Sequence, residues 1–194
     1  MQPIVLASTS PYRKALLEKL CIPFTTASPS TDETPLAGEQ SQALAERLSL
    51  LKADSLRSQF ADALIIGSDQ VVAFEGENLG KPGSFENAFA QLRRFSGKQV
   101  DFYTGLTVLD ARSNKSQTII EPFSVQFRVL SDEQISRYLN TEKPYDCAGS
   151  FKCEGLGICL FERMIGDDPN TLIGLPLIRL TTLLGNTGIQ LPIA

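Results

Sequence analysis

The stretch Ala63-Leu64-Ile65-Ile66-Gly67-Ser68-Asp69-Gln70-Val71-Val72-Ala73-Phe74 decides how the chain folds. Its apolar residues on either side of Ser68-Asp69-Gln70 predict an interior β-strand interrupted by three polar residues. A carboxylate in such a place is rarely fully buried unless it is paired or ligates metal. The polar triplet therefore marks where the strand opens onto a site, the structural alternative being an Asp satisfied by backbone donors.

Toward the N-terminus, residues 3 to 7 (PIVLA) predict a buried strand. Ser10 is placed to cap a helix whose first position is Pro11, where a missing N–H costs nothing, and Pro23 helps to end it. A strand near Phe24 to Ala27, an acidic turn, and a helix from about Ser41 follow, the helix marked by Leu44, Leu48 and Leu51. Toward the C-terminus come a Gly80-Lys81-Pro82 loop and a helix opening at Ser84 and stopping at Gly97. Two strands then flank the turn Arg112-Ser113-Asn114-Lys115. Ser131 to Gln134 form a capping box for a short helix reaching Leu139, a strand is expected near Leu156 to Phe161, and Pro176 opens a last helix ending at Gly185. This alternation predicts a mixed α/β fold: a twisted sheet with packed helices, two lobes around a cleft, and one domain over residues 1–194.

The 194 residues are 42% hydrophobic and 21% charged, which is globular composition. A net charge of −4 argues against a partner of polymeric nucleic acid, which would call for a basic face, but admits a small nucleotide. There is no histidine, so Ser-His-Asp and Cys-His pairs, HExxH zinc sites and imidazole shuttles are excluded. Acid–base chemistry falls to carboxylates, Lys, Tyr or metal-bound water. Cys21, Cys147, Cys153 and Cys159 match neither a CxxC pair nor zinc knuckles and read as reduced thiols. The start MQPIVLAS has no basic segment and only a short apolar run, so neither a secretory signal nor a membrane partner is expected and the location is cytoplasmic.

Candidate chemistry gathers at four places. Ser8, Ser10 and Arg13 stand at the first strand-to-helix turn, where free N–H groups and hydroxyls invite a phosphate and where Arg13 and Lys14 oppose the helix dipole until an anion binds. Asp32-Glu33 lies in the turn SPSTDETP, an ordinary polar turn by itself. Lys52 stands beside the apolar stripe of its helix, where a snorkelling lysine is the neutral explanation. Lys81 sits in a loop that Gly opens and Pro stiffens. Together with Asp69 these acids and bases suit a metal-bound polyphosphate, and Mg²⁺ or Mn²⁺ fits because oxygen ligands are at hand and imidazole is not.

These blocks, in the order LASTSPYRKALLEKL, STDET, IIGSDQVV, LGKP, FSGK with YTGL, DCAGSFKCEGLG and GDDPNTLIGLPL, resemble the Maf family of nucleoside triphosphate pyrophosphatases over essentially the whole chain. The resemblance implies a Maf/ITPase-like fold and a cytoplasmic, divalent-metal-dependent enzyme that cleaves a nucleoside triphosphate between the α- and β-phosphates. It implies Asp69 as proton acceptor and Arg13, Glu33, Lys52 and Lys81 as its catalytic companions; as hard oxygen donors, the carboxylates Glu33 and Asp69 are the expected metal ligands. SPYR, SDQ and FKCEG resemble the 7-methylguanosine triphosphate branch, which makes Tyr12, Gln70 and Glu154 the specificity residues and house-cleaning of modified nucleotides the task. A cationic 7-methylguanine suits an aromatic face and a carboxylate. The alternatives are a dTTP/UTP or broader non-standard-nucleotide pyrophosphatase, or a nucleotide-binding regulator of septum formation with little turnover. A homodimer stays open.

Overall fold

A computed structural model describes residues 2–192. In chain order the elements are β1 (Ile4–Ala7), α1 (Pro11–Glu18), β2 (Thr25–Ala27), α2 (Ser41–Asp54), β3 (Leu64–Phe74), β4 (Glu77–Leu79), α3 (Phe85–Phe95), β5 (Gln99–Asp110), β6 (Lys115–Phe127), α4 (Asp132–Glu142), β7 (Phe161–Ile165), α5 (Asn170–Ile173) and α6 (Leu177–Asn186). The fold is mixed α/β. The strand order is β2-β1-β3-β5-β6-β7, with β4 paired to β3. β1 runs parallel to both β2 and β3, while β4 on β3 and β7 on β6 are antiparallel.

The described residues divide into two compact units, 2–70, 104–121 and 168–192 in the first and 71–103 and 122–167 in the second. In the first, β1 is buried on both faces, as a central parallel strand requires. Ile4 and Leu6 pack with Leu64, Ile66, Leu106 and α6, whereas Val5 and Ala7 pack with Ala53, Leu56 and Ile65. The second unit is built on phenylalanine, in the absence of Trp: Phe127 lies 5.3 Å from both Phe95 and Phe161, and Phe151 lies 4.8 Å from Phe161. The Phe127–Phe161 and Phe151–Phe161 pairs are edge-to-face, an arrangement that contributes beyond its buried area.

Two glycines set how α2 meets the sheet. A Cβ on Gly67 would fall on the Ser49 carbonyl, and one on Gly105 on the Ala45 carbonyl. Without those side chains the helix backbone lies directly on β3 and β5. The expected strand near Leu156 to Phe161 is corrected: Leu156–Leu160 forms a 3₁₀ turn and the strand is Phe161–Ile165. The cause is local, since the N–H groups of Gly155 and Gly157 both turn back to the Lys152 carbonyl, at 3.2 and 3.0 Å. Among the described residues no helix is long and apolar enough to cross a membrane.

Candidate active site

Close packing of α2 on β3 brings Lys52 beside Asp69. The Lys52 ammonium, which sequence alone allows to snorkel, is instead buried at 6% exposure, with Nζ 2.5 Å from Asp69 Oδ1 and 2.8 Å from Glu33 Oε1. Asp69 is itself 7% exposed, so each charge is held out of water by its partner. Lys52 is the hydrogen-bond donor found for Asp69 among the described residues, and it engages Oδ1, leaving Oδ2 to accept a proton.

Glu33 comes from the exposed loop before α2, and that loop is tied to the helix by a bidentate ion pair. Arg47 Nε and Nη2 reach Glu39 Oε1 and Oε2 at 2.6 and 2.7 Å, and Nη2 also donates to the Thr34 carbonyl at 3.1 Å. The hydrogen bond from Arg47, assisted by the Leu36 amide, holds the Glu39 carboxyl down at about 2. Arg47 and Lys52, five residues apart on one helix, thus hold the acidic loop at Glu33, Thr34 and Glu39.

Arg13 enters from the first turn of α1. Ser10 caps that helix, its Oγ accepting the Arg13 N–H at 3.4 Å, and Ser8 Oγ accepts the Ser10 N–H at 3.1 Å. Arg13 Nε donates to the Gly174 carbonyl at 2.9 Å, and the Ser68 hydroxyl donates to the same carbonyl at 2.9 Å. One carbonyl at the end of α5 therefore fixes Arg13 to the strand position just before Asp69. Burial lowers the Arg13 guanidinium from its ordinary value while Asp69 and Glu33 raise it, which places all three charges in one electrostatic group. Lys14, the neighbouring cation, turns away to Glu18 at 3.7 Å.

Gln70 is half-buried and its orientation is determined. Its Nε2 donates to the carbonyls of Thr171 at 2.8 Å and Leu172 at 3.2 Å and to Thr104 Oγ1 at 3.2 Å. Only an amide nitrogen can face two carbonyls, so Oε1 is the end that can meet a ligand. Tyr12 is half-buried beside Arg13 on α1.

The structure places Ser8, Ser10, Tyr12, Arg13, Glu33, Lys52, Asp69 and Gln70 in the first unit and Lys81 and Glu154 in the second. Lys81 is exposed on a loop held from α3, where Gln91 Nε2 reaches the Gly80 carbonyl at 3.1 Å and Asn87 Nδ2 the Pro82 carbonyl at 2.9 Å. Glu154 is exposed, its Oε2 accepting from Cys153 Sγ at 3.6 Å. Sequence reasoning missed Ser68 as an anchor, Gly174, Thr104 and Asp168. Asp168, 1% exposed, accepts from the N–H groups of Asn170 at 2.9 Å and Ile178 at 2.8 Å, and so supports the turn that ends in Gly174 as well as the start of α6. A glycine after Leu172-Ile173 is a C-cap signal, and Gly174 has φ +117°.

Among the described residues no three His, Cys, Asp or Glu side chains converge as a metal cage. Two carboxylates are what Mg²⁺ asks of a protein when waters and substrate phosphates complete its shell, so Glu33 and Asp69 fit such an ion.

The family described as Maf-like protein matches residues 3–187. A 7-methyl-GTP pyrophosphatase of Colwellia psychrerythraea is 57% identical over 98% of this chain and 95% of its own. Proteins of the same name from Pseudoalteromonas atlantica and Pseudoalteromonas translucida are 58% and 54% identical, over 93% and 97% of this chain and 93% of each relative. Among solved structures, the Staphylococcus aureus Ham1 protein matches at 13% identity and TM-score 0.47, over 65% of this chain and 72% of that one, a likeness too low to carry weight.

Proposed function

The chain belongs to the Maf-like protein family, and from that premise we propose that it hydrolyses 7-methylguanosine triphosphate to 7-methylguanosine monophosphate and pyrophosphate. The observation that carries the chemistry is Lys52 clamped between Asp69 and Glu33 at 2.5 and 2.8 Å, with Arg13 in the same electrostatic group. Water attacks the α-phosphorus and the bond from that phosphorus to the bridging oxygen breaks. Pyrophosphate leaves, and the proton of the water passes to Asp69 Oδ2. Lys52 orients Asp69 through Oδ1, while Arg13 binds the phosphate charges. The hydroxyl of Ser8 and the N-terminus of α1 add donors for a phosphate. Glu33 and Asp69 would hold Mg²⁺ or Mn²⁺, which when bound supplies charge neutralisation on the phosphate oxygens.

The names of the relatives and the residues Tyr12, Gln70 and Glu154 support the choice of base. Methylation at N7 makes guanine cationic, which favours an aromatic face and a carboxylate. Gln70, its nitrogen engaged, offers the acceptor Oε1, and guanine offers donors on its base-pairing edge.

The test is pyrophosphate release from 7-methyl-GTP, GTP, dTTP and UTP, each with Mg²⁺, Mn²⁺ or chelator. The expected order places 7-methyl-GTP first, with no turnover under chelation. Diphosphate and orthophosphate as first products would overturn the assignment of the α-phosphorus. A preference for dTTP or UTP would overturn the choice of base, and binding without turnover would favour a regulator. Asp69→Asn should lower kcat by about 100- to 10,000-fold in a folded protein.

A further inference from the structure

Helix α4 holds the loop 152–157 at two points from one of its faces, since Tyr138 and Glu142 stand four residues apart. Tyr138 Oη accepts the Lys152 N–H at 3.0 Å, and Glu142 Oε2 accepts the Leu156 N–H at 2.7 Å. A third bond closes the clamp, Lys152 Nζ donating to the Glu142 carbonyl at 3.2 Å. Gly155 is fitted to this arrangement: a Cβ there would lie 2.7 Å from Glu142 Oε2. Its missing side chain is what lets the carboxylate reach the next amide. Between the anchored amides of Lys152 and Leu156 stands Glu154, whose own carboxylate is exposed.

We propose that Glu142 is a positioning residue for substrate selection, fixing the loop that carries Glu154 and so the place of the carboxylate that favours a cationic base. This rests on the reading of Glu154 as a specificity residue. Glu142 acts through its acceptor oxygen on Leu156, and its charge has no direct part in recognition. Glutamine keeps a side-chain acceptor at the same reach, and alanine does not.

The experiment compares wild type, Glu142→Ala, Glu142→Gln, Gly155→Ala and Glu154→Gln as full-length proteins. Each is measured for kcat and KM with 7-methyl-GTP and with GTP, and for hydrogen exchange in peptides covering 152–157. Glu142→Ala should narrow the 7-methyl-GTP over GTP ratio of kcat/KM by roughly three- to tenfold, the scale of one lost hydrogen bond. The change should lie in KM for 7-methyl-GTP, with kcat for GTP held and exchange in 152–157 faster. Glu142→Gln should keep most of the ratio. Gly155→Ala, which displaces a flexible carboxylate and leaves the fold alone, should behave as Glu142→Ala does. A wild-type ratio in Glu142→Ala alongside a narrowed one in Glu154→Gln would overturn this proposal alone. A wild-type ratio in Glu154→Gln would overturn the specificity reading and this proposal with it. Equal losses in Glu142→Ala and Glu142→Gln would make charge the cause and overturn the positioning role.

Discussion

Lys52 is the residue on which the candidate site turns, because it is a buried cation whose two partners differ in exposure. Asp69 has a side chain 10% exposed and Glu33 one that is 59% exposed. Replacing Lys52 with Met keeps the apolar stem and removes the charge, which strands Asp69 in a dry place while Glu33 returns to water. Lys52→Met should therefore lose turnover and about 3 kcal/mol of stability in urea unfolding. An unchanged midpoint would show that Asp69 is not held by the pair. Gln70 gives a second test at this scale. Gln70→Glu turns a carboxylate oxygen toward the carbonyls of Thr171 and Leu172, where a donor now stands at 2.8 and 3.2 Å. The expected result is a loss of about 1–3 kcal/mol and weaker discrimination between bases, read by thermal unfolding and kcat/KM ratios. Asp69 was legible in the sequence because a carboxylate inside an apolar run contradicts its surroundings. Gly174 was not, since its partners Arg13 and Ser68 lie 161 and 106 residues away and only the fold brings them together.

Elements whose signals are local were readable to within a few residues. Ser10 and Ser84 cap α1 and α3, and Ser131 with Gln134 forms the expected capping box of α4, which runs on to Glu142. The short pieces were not readable. β4 has three residues and exists because Glu75 and Gly76, at φ +52° and +82°, turn the chain back on β3. The 3₁₀ turn at Leu156–Leu160 shares its apolar pattern with a strand and is distinguished by glycine hydrogen bonds that composition does not display. The packing of α2 on β3 was equally hidden, because Gly67 reads as one more small residue in a strand. Gly67→Ala tests it: the new methyl meets the Ser49 carbonyl, so helix and strand must separate. Overpacking of this kind costs about 1–3 kcal/mol. Since Lys52 rides on α2, the same variant should also lower kcat, and a variant with lower stability and wild-type kcat would show that the Lys52–Asp69 distance is not set by that contact.

Across the whole molecule the stabilising devices are packing and polar pairing, for all four cysteines are free thiols. They differ in a way that one labelling experiment reads. Cys21 and Cys159 are exposed, whereas Cys147 and Cys153 are partly covered. Burial, together with the neighbouring Glu154 carboxylate, pushes the Cys153 thiol up from 9.0 to about 12. The raised value means that folding favours the neutral thiol. Stability from this group is fully present below about 9 and is lost as pH rises toward about 12. Only the thiolate reacts with alkylating agents, and at pH 8 a thiol of that kind is ionised to roughly one part in ten thousand. Iodoacetamide at pH 8 should therefore modify Cys21 and Cys159 first and Cys153 last, as peptide masses would show. The Cys153 rate should climb about tenfold per pH unit between 8 and 10. Unfolding in urea should bring the four rates together, because it returns Cys153 to water and separates it from the fixed carboxylate. Labelling of Cys153 in the folded protein as fast as Cys21 would mean that the loop carrying Glu154 is open to solvent and not held against α4, and it would count against the Glu142 clamp as well.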